Sequence, residues 1–388
     1  MSDLHITVEP EVQVLSGALQ PYLFRSAAGT LVVQGHGPYP LHYPMPPRNV
    51  FPGLPMTAIS RDGGHSWSLW TPNDDQAQGP IIEGAVLQLR NGRILIFDWI
   101  ADGPSPEGNF TGQLWATTDE WQTLQGPTPF QIHLPQASIG YDDVGKPYTS
   151  VTFHRSVVEL PSGESPSGES PSGESPSGEL VACIYCWFAE DKIPSSYEAK
   201  MNRFRCVLLR SADQGHTWHY GTTIAVDPTI GQEGFDEPVL IQLTQGPRQG
   251  RLLCLMRTGN RVDPIYQSYS DDGGATWSPP TPTPMLGVDP DLVEMADGTL
   301  ACSYGYRILR EPPDPAHGNY VAFSTDQGER WGNLTHLPIE AHAGADRSTC
   351  YTGLREVEPG KLLVTFDIGW WRTPIRYIGR RFVHVQQV

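Results

Sequence analysis

One short pattern constrains this chain more than any other: an apolar run, a turn with a glycine, and a second apolar run, recurring from end to end. It reads LFRSAAGTLVV around Gly29, VLQLRNGRILIF around Gly92, and VVELPSGE with GELVACIY up to Gly178. Later copies are VLIQLTQGPRQGRLLCLM around Gly250, DLVEMADGTLACSY around Gly298 and LREVEPGKLLVTF around Gly360. Each predicts a hairpin of two strands. Hairpins repeated this regularly bury their faces on one another, so the pattern points to an all-β repeat architecture. The composition agrees: among 388 residues there are 40 Gly, 37 Pro and 11 Trp, with only 18% charged, which argues against a coiled coil or a helical bundle.

The third copy is interrupted. Residues 161–179 read PSGESPSGESPSGESPSGE, and removing three of the five-residue units restores VVELPSGELVACIY, which matches the other copies. The segment is read as an expanded, polar hairpin tip with no binding role.

A second motif follows the hairpins. It occurs as SRDGGHSW (Ser60 to Trp67), SADQGHTW (Ser211 to Trp218), SDDGGATW (Ser270 to Trp277) and STDQGERW (Ser324 to Trp331), with a decayed copy, TTDEW, from Thr117 to Trp121. The spacing encodes a folded turn: the Asp accepts backbone N–H bonds, the Gly takes positive φ, and the Trp covers the apolar side. The pattern S-x-D-x-G-x-T-W resembles the Asp-box of the sialidase (neuraminidase) superfamily, and the resemblance covers almost the whole chain. It implies that each box is a turn between the outer strands of a propeller blade, so that Asp62, Asp213, Asp272 and Asp326 are structural. The six hairpins then predict a six-bladed β-propeller of four-stranded antiparallel blades, with residues 1–388 as one domain and 161–179 an insertion within it. The N-terminal LHITVEPEVQVL is expected to pair with the final WWRTPIRYIGRRFVHVQQV and close the ring.

In such a ring, residues that open each first strand or end each second strand point at a central funnel. Those positions hold Gln20, His36, Glu83, Asp98, His154, Arg155 and Tyr185 in the first half. The second half contributes Glu237, Arg257, Asp289, Tyr304, Tyr306, Arg307, Arg347, Tyr351 and Asp367. The resemblance assigns roles to some of them. DEPVLIQL…GRLLCLMRTG matches an element with Glu237 as base and Arg257 as an arginine that binds a substrate carboxylate. CYTGLREVEPGKLLVTFD puts Tyr351 at a nucleophilic tyrosine and Asp367 where a Glu buttresses an arginine. A phenol is a weak nucleophile until a carboxylate takes its proton, so this pairing is chemically coherent. Arg307 is placed as a second substrate-binding arginine by position alone.

Two features depart from the family. Its first-blade arginine is missing from Leu19-Gln20-Pro21; Arg25 lies further along the strand, and Arg155 or Arg48 would have to substitute. Its acidic Asp has no counterpart in QGHGPYPLHYPMPPRNVFPGLPMTA, which offers His36, His42, Tyr39 and Tyr43 instead.

The leading expectation is therefore an exo-acting glycosidase acting on a terminal, acidic sugar, with Tyr351, Glu237 and a replacement acid, His36 or Asp98, as catalytic residues. Arg257, Arg307, Arg155, His154, Tyr304 and Asp367 are expected to bind substrate. One alternative is a uronate-directed polysaccharide lyase in which His36 or His154 works with a tyrosine; another is a non-catalytic glycan-binding propeller. The net charge of −17 argues against duplex nucleic acid or an anionic membrane as partner. No signal peptide or long apolar span is visible, which makes a cytoplasmic protein the default expectation. Six cysteines read as buried free thiols, Cys183 and Cys186 facing opposite ways on one strand. No metal or cofactor is expected.

Overall fold

The computed structural model describes residues 3–37, 55–71, 79–105, 107–142, 145–161, 178–196, 198–259, 263–307, 314–339, 347–370 and 375–388. Most of the 161–179 repeat, and with it the expected hairpin tip, lies outside the described residues. So do Tyr39, His42, Tyr43 and Arg48. All regular secondary structure among the described residues is β-strand, and no described helix is long and apolar enough to cross a membrane.

The strands form antiparallel runs in sequence order. Leu19–Arg25, Leu31–His36, Pro55–Ser60 and Ser68–Trp70 make one four-stranded sheet; Asp236–Gln242, Leu252–Arg257, Pro264–Ser270 and Thr281–Leu286 make another. A third consists of Val288–Glu294, Leu300–Tyr306, Gly318–Ser324 and Gly332–Pro338. In the last sheet, Thr352–Glu358, Lys361–Ile368 and Tyr377–Gln387 are completed by the N-terminal strands Leu4–Val8 and Val12–Ser16, both paired to Tyr377–Gln387. The expected closure by the N-terminus is thus present.

One expectation changes. The second run in chain order (Ala85–Gln88, Ile94–Phe97, Asn109–Thr117, Gln125–His133) and the third (Ser150–Glu159, Leu180–Phe188, Arg205–Ser211, Thr217–Ala225) are joined by edge pairings into one ten-stranded sheet. Ile100–Asp102 bridges Asn109–Thr117 to Ser150–Glu159, and Gln125–His133 pairs in parallel with Thr217–Ala225. The physical reason is length: Asn109–Thr117 and Gln125–His133 have nine residues each. They therefore reach past their own run to the neighbouring edge.

The first strands pack side by side, Ser150–Glu159 against Ala85–Gln88 and Asp236–Gln242, and Val288–Glu294 against Asp236–Gln242 and Thr352–Glu358. Thr352–Glu358 in turn meets Leu19–Arg25. The apolar core is divided among the seams between consecutive runs: Phe97, Phe130, Phe153 and Trp218 fill one, while Leu354, Leu362, Val364 and Val383 with Phe323 fill another. The fold is propeller-like, with first strands inward.

Each full Asp-box joins a third strand to a fourth, as expected. Asp272 Oδ1 accepts from Ser270 Oγ at 2.7 Å and Thr276 N at 2.9 Å, while Ser270 Oγ accepts from Gly274 N at 2.8 Å. The same bonds recur at Asp62, Asp213 and Asp326. Even the decayed box keeps Asp119 bonded to Thr117 and Thr123. These turns lie on outer strands, away from the inner strands that carry the candidate site.

Candidate active site

The inner strands share a device that presents side chains to the axis. Pairing with the second strand slips between Leu19 and Tyr22, Phe153 and Val157, Asp236 and Val239, and Val288 and Asp291. Within each slip one non-glycine residue takes positive φ: Gln20 at 54°, Arg155 at 53°, Glu237 at 37° and Asp289 at 53°. Cys350, just before Tyr351, has φ 66°. A bulge of this kind re-aims a side chain, and non-glycine residues held at positive φ concentrate where function demands them.

Glu237 and Tyr351, 114 residues apart, meet here: the Tyr351 hydroxyl donates to Glu237 Oε1. Arg257 Nη1 donates to the same oxygen at 2.5 Å, and its Nη2 donates to Glu233 Oε1 at 2.7 Å. The other oxygen of Glu237 accepts from the backbone N–H of Asp289 at 3.1 Å. Burial works against a charge on Glu237, but Arg257, His154 and the Tyr351 hydroxyl outweigh it and hold the carboxyl below its ordinary range. Tyr351 moves the other way, since burial and the Glu237 charge both push the phenol up. At rest the proton therefore stays on Tyr351. Asp236 lies 3.8 Å from Arg257 Nε, and burial with the nearby Glu233 raises its carboxyl.

Next to this cluster, Arg155 Nη2 donates to Asp289 Oδ2 at 2.6 Å, and its Nη1 donates to Thr352 O at 2.5 Å. Asp289 also accepts from Thr352 N at 2.9 Å. His154 is 1% exposed, with Nδ1 3.2 Å from Pro238 O, and burial beside Arg155 brings its pKa down to about 4. The backbone N–H of Arg155 reaches Glu83 O at 3.3 Å, and the Glu83 side chain meets His36 Nε2 at 2.8 Å. Two residues before Glu83, Ile81 N donates to Asp98 Oδ1 at 3.2 Å. Asp98 is half-buried, and desolvation, opposed by that one bond, raises its pKa to about 7.

Asp367 holds the loop that delivers Tyr351. Its carboxylate accepts from Ser348 Oγ at 2.7 Å, Thr349 N at 2.8 Å, Thr349 Oγ1, and Gln20 N at 2.8 Å. On the other side, Arg307 Nε donates to Thr349 O at 2.9 Å, and its guanidinium lies 5.5 Å from the centre of the Tyr351 ring.

The structure thus gathers Tyr351, Glu237, Arg257, Arg307, His154 and Arg155 into one network. Asp98 and His36 are connected to it through the segment 81–83. Three expectations need correction. Tyr304 is packed in the seam core, 3% exposed and stacked on Tyr320 with ring centres 5.5 Å apart, so its ring cannot meet a substrate. Asp367 binds hydroxyl and backbone groups of the Tyr351 loop in place of the expected arginine. Arg257 and Arg155, assigned to substrate, are committed to buried carboxylates, and Arg155 cannot stand in for the first-blade arginine. The two histidines offered as lyase bases are both buried, His36 at 2% exposure. Sequence reasoning missed Glu233; the acidic stretch Glu233-Gly234-Phe235-Asp236-Glu237 ahead of an inner strand was its available signal.

Among the described residues, one group has metal-ligand spacing: the sulfurs of Cys183, Cys206 and Cys254, all buried, lie within 4.8 Å of one another. Cys183 thus faces Cys206 and Cys254, not Cys186. The triangle belongs to the apolar seam between the third and fourth runs, outside the axial network.

Residues 175–341 match the family of BNR repeat-like domains. Over 182 residues the chain is 29% identical to a xyloglucanase of a Paenibacillus species, a stretch covering 44% of this chain and 17% of that protein. Among solved structures, a protein of unknown function from Dyadobacter fermentans DSM 18053 matches with TM-score 0.66 at 18% identity, over 98% of this chain and 99% of that one. A GH93 α-L-arabinofuranosidase of Fusarium graminearum, in complex with arabinobiose, gives 0.61 at 14% identity over 97% and 98%. The NanB sialidase of Streptococcus pneumoniae gives 0.51 at 11% identity, over 97% of this chain and 70% of that one. At such identities the structural likeness is one of fold. The chain thus carries a segment similar to BNR repeat-like domains within a propeller-like fold.

Proposed function

We propose that this chain is a glycoside hydrolase that removes a terminal sugar, and that its strand runs are the blades of a single six-bladed propeller spanning residues 1–388. The glycosidases among its structural neighbours and its partial likeness to a xyloglucanase support a carbohydrate substrate. The observation that carries the reading is the Tyr351 hydroxyl on the Glu237 carboxylate, with Arg257 behind it.

In this reading the phenol attacks the anomeric carbon while Glu237 takes its proton. The resting proton lies on Tyr351, so transfer waits for the positive charge that develops on the sugar ring as the leaving group departs. Asp98, neutral up to about pH 7, supplies the proton to the leaving oxygen; water then displaces Tyr351 from the anomeric carbon, giving its proton to the Asp98 carboxylate while Glu237 returns the phenol's proton. Arg307, beside the Tyr351 ring, is the arginine best situated to touch substrate, and Asp367 is a positioning residue for the Tyr351 loop.

Tyr351→Phe and Glu237→Gln test the reading. Each should cut kcat by at least about 100-fold on a hydrolysed glycoside while leaving ligand affinity within a few-fold, because the lost step is chemical. Full turnover in both variants would contradict it.

A further inference from the structure

We infer that the sugar accepted at this site carries no carboxylate. This rests on the glycosidase reading and reverses the acidic-sugar expectation drawn from the sialidase resemblance. The reason is that, among the described residues, the arginines of the network, Arg155, Arg257 and Arg307, already have anionic or carbonyl partners. Arg155 is held by Asp289 and by the carbonyls of Thr352 and Pro21, with its side chain 1% exposed. Arg257 places one Nη on Glu237 and the other on Glu233, with 8% of its side chain exposed. Arg307 turns two N–H groups onto Thr349 O. At the first-blade position stands Gln20, a neutral residue.

A substrate carboxylate reaching Arg257 would have to share a guanidinium whose charge Glu233 and Glu237 already offset, and would sit beside those two buried carboxylates. It would also approach Glu83 and Glu237, whose charges both bear on His154 and on Asp289. Carboxylates concentrated beside the site favour hydroxyl donors over a further anion. The hydroxyls of an uncharged sugar meet that chemistry without bringing an anion into it.

The test uses matched 4-nitrophenyl glycosides that differ only in oxidation at C6, galactoside against galacturonide and glucoside against glucuronide. To these are added 4-nitrophenyl α-L-arabinofuranoside and an α-sialoside. Binding is measured by calorimetry and nitrophenol release separately. Uncharged members should bind at least about 100-fold more tightly than acidic ones. Glu233→Ala, which removes the partner of Arg257 Nη2, should raise affinity for the acidic members by about tenfold or more. Equal or tighter binding of a uronide or sialoside by the unaltered protein, weakening steeply with salt, would overturn the inference, as would failure of every uncharged member to bind. Binding of uncharged sugars with no hydrolysis of any would instead sink the glycosidase reading and leave the substrate class standing.

Discussion

Glu237 is held at φ 37° in a bulge, where an L-residue is strained, and the strain is balanced by fixing its carboxylate between Tyr351 and Arg257. Such positions were legible because they open strands that otherwise read apolar, and in Gln20-Pro21, Glu237-Pro238 and Asp289-Pro290 the next residue is proline. Tyr304 was misread because strand residues alternate: Ser303 bonds Thr352 across the axis side, so Tyr304 must face the seam. Glu233 was legible only as part of an acidic stretch, since it lies on a loop before its strand, where no periodicity fixes direction. In the proposed mechanism Asp98 carries the pH dependence. Its folded pKa near 7 lies above the ordinary carboxyl value, so the acid form is present below pH 7 and lost as pH rises through it. We expect kcat/KM to fall above about pH 7, and Asp98→Asn to lower it at least about 100-fold and abolish that limb, with partial rescue by a good leaving group. A variant with an unchanged profile would remove Asp98 from the proton path.

The Asp-box was the most readable element, because its bonds are local and its spacing fixes them. Two neighbouring glycines separate the contributions to its stability. Gly63 has φ +72° with nothing within 4 Å of an added Cβ, whereas at Gly64, φ +92°, that Cβ would lie 2.1 Å from Leu363 Cδ1. Gly63→Ala should therefore cost about 1 kcal/mol from backbone strain alone, and Gly64→Ala about 2–4 kcal/mol from strain plus overpacking. Urea unfolding of both variants checks this; equal losses would mean that the packing against Leu363 relaxes freely. The fused ten-stranded sheet was not readable in the same way, because it depends on how far two long strands project toward a neighbour.

Across the whole molecule, each seam is a core shared by two runs, so the ring is only as stable as its closure. That closure was legible in the N-terminal alternation LHITV: Leu4, Ile6 and Val8 pack on the core that contains Val383 and Val385, and Leu15 is 1% exposed. Deleting residues through Ser16 strips both strands from Tyr377–Gln387 and should lower Tm by more than about 5 °C. An unchanged Tm would show that the last sheet holds without them. The substrate was less legible than the fold, because a sequence shows where arginines fall and not which carboxylates already hold them; Glu233 settled on Arg257 only in three dimensions. The proposed chemistry at the centre of the ring is tested most directly by trapping the enzyme with a fluorinated, activated glycoside of an accepted sugar and mapping the adduct by peptide mass spectrometry. The account predicts a glycosyl group on Tyr351, abolished by Tyr351→Phe and slowed by Glu237→Gln. An adduct on a carboxylate, or trapping undiminished in Tyr351→Phe, would contradict it.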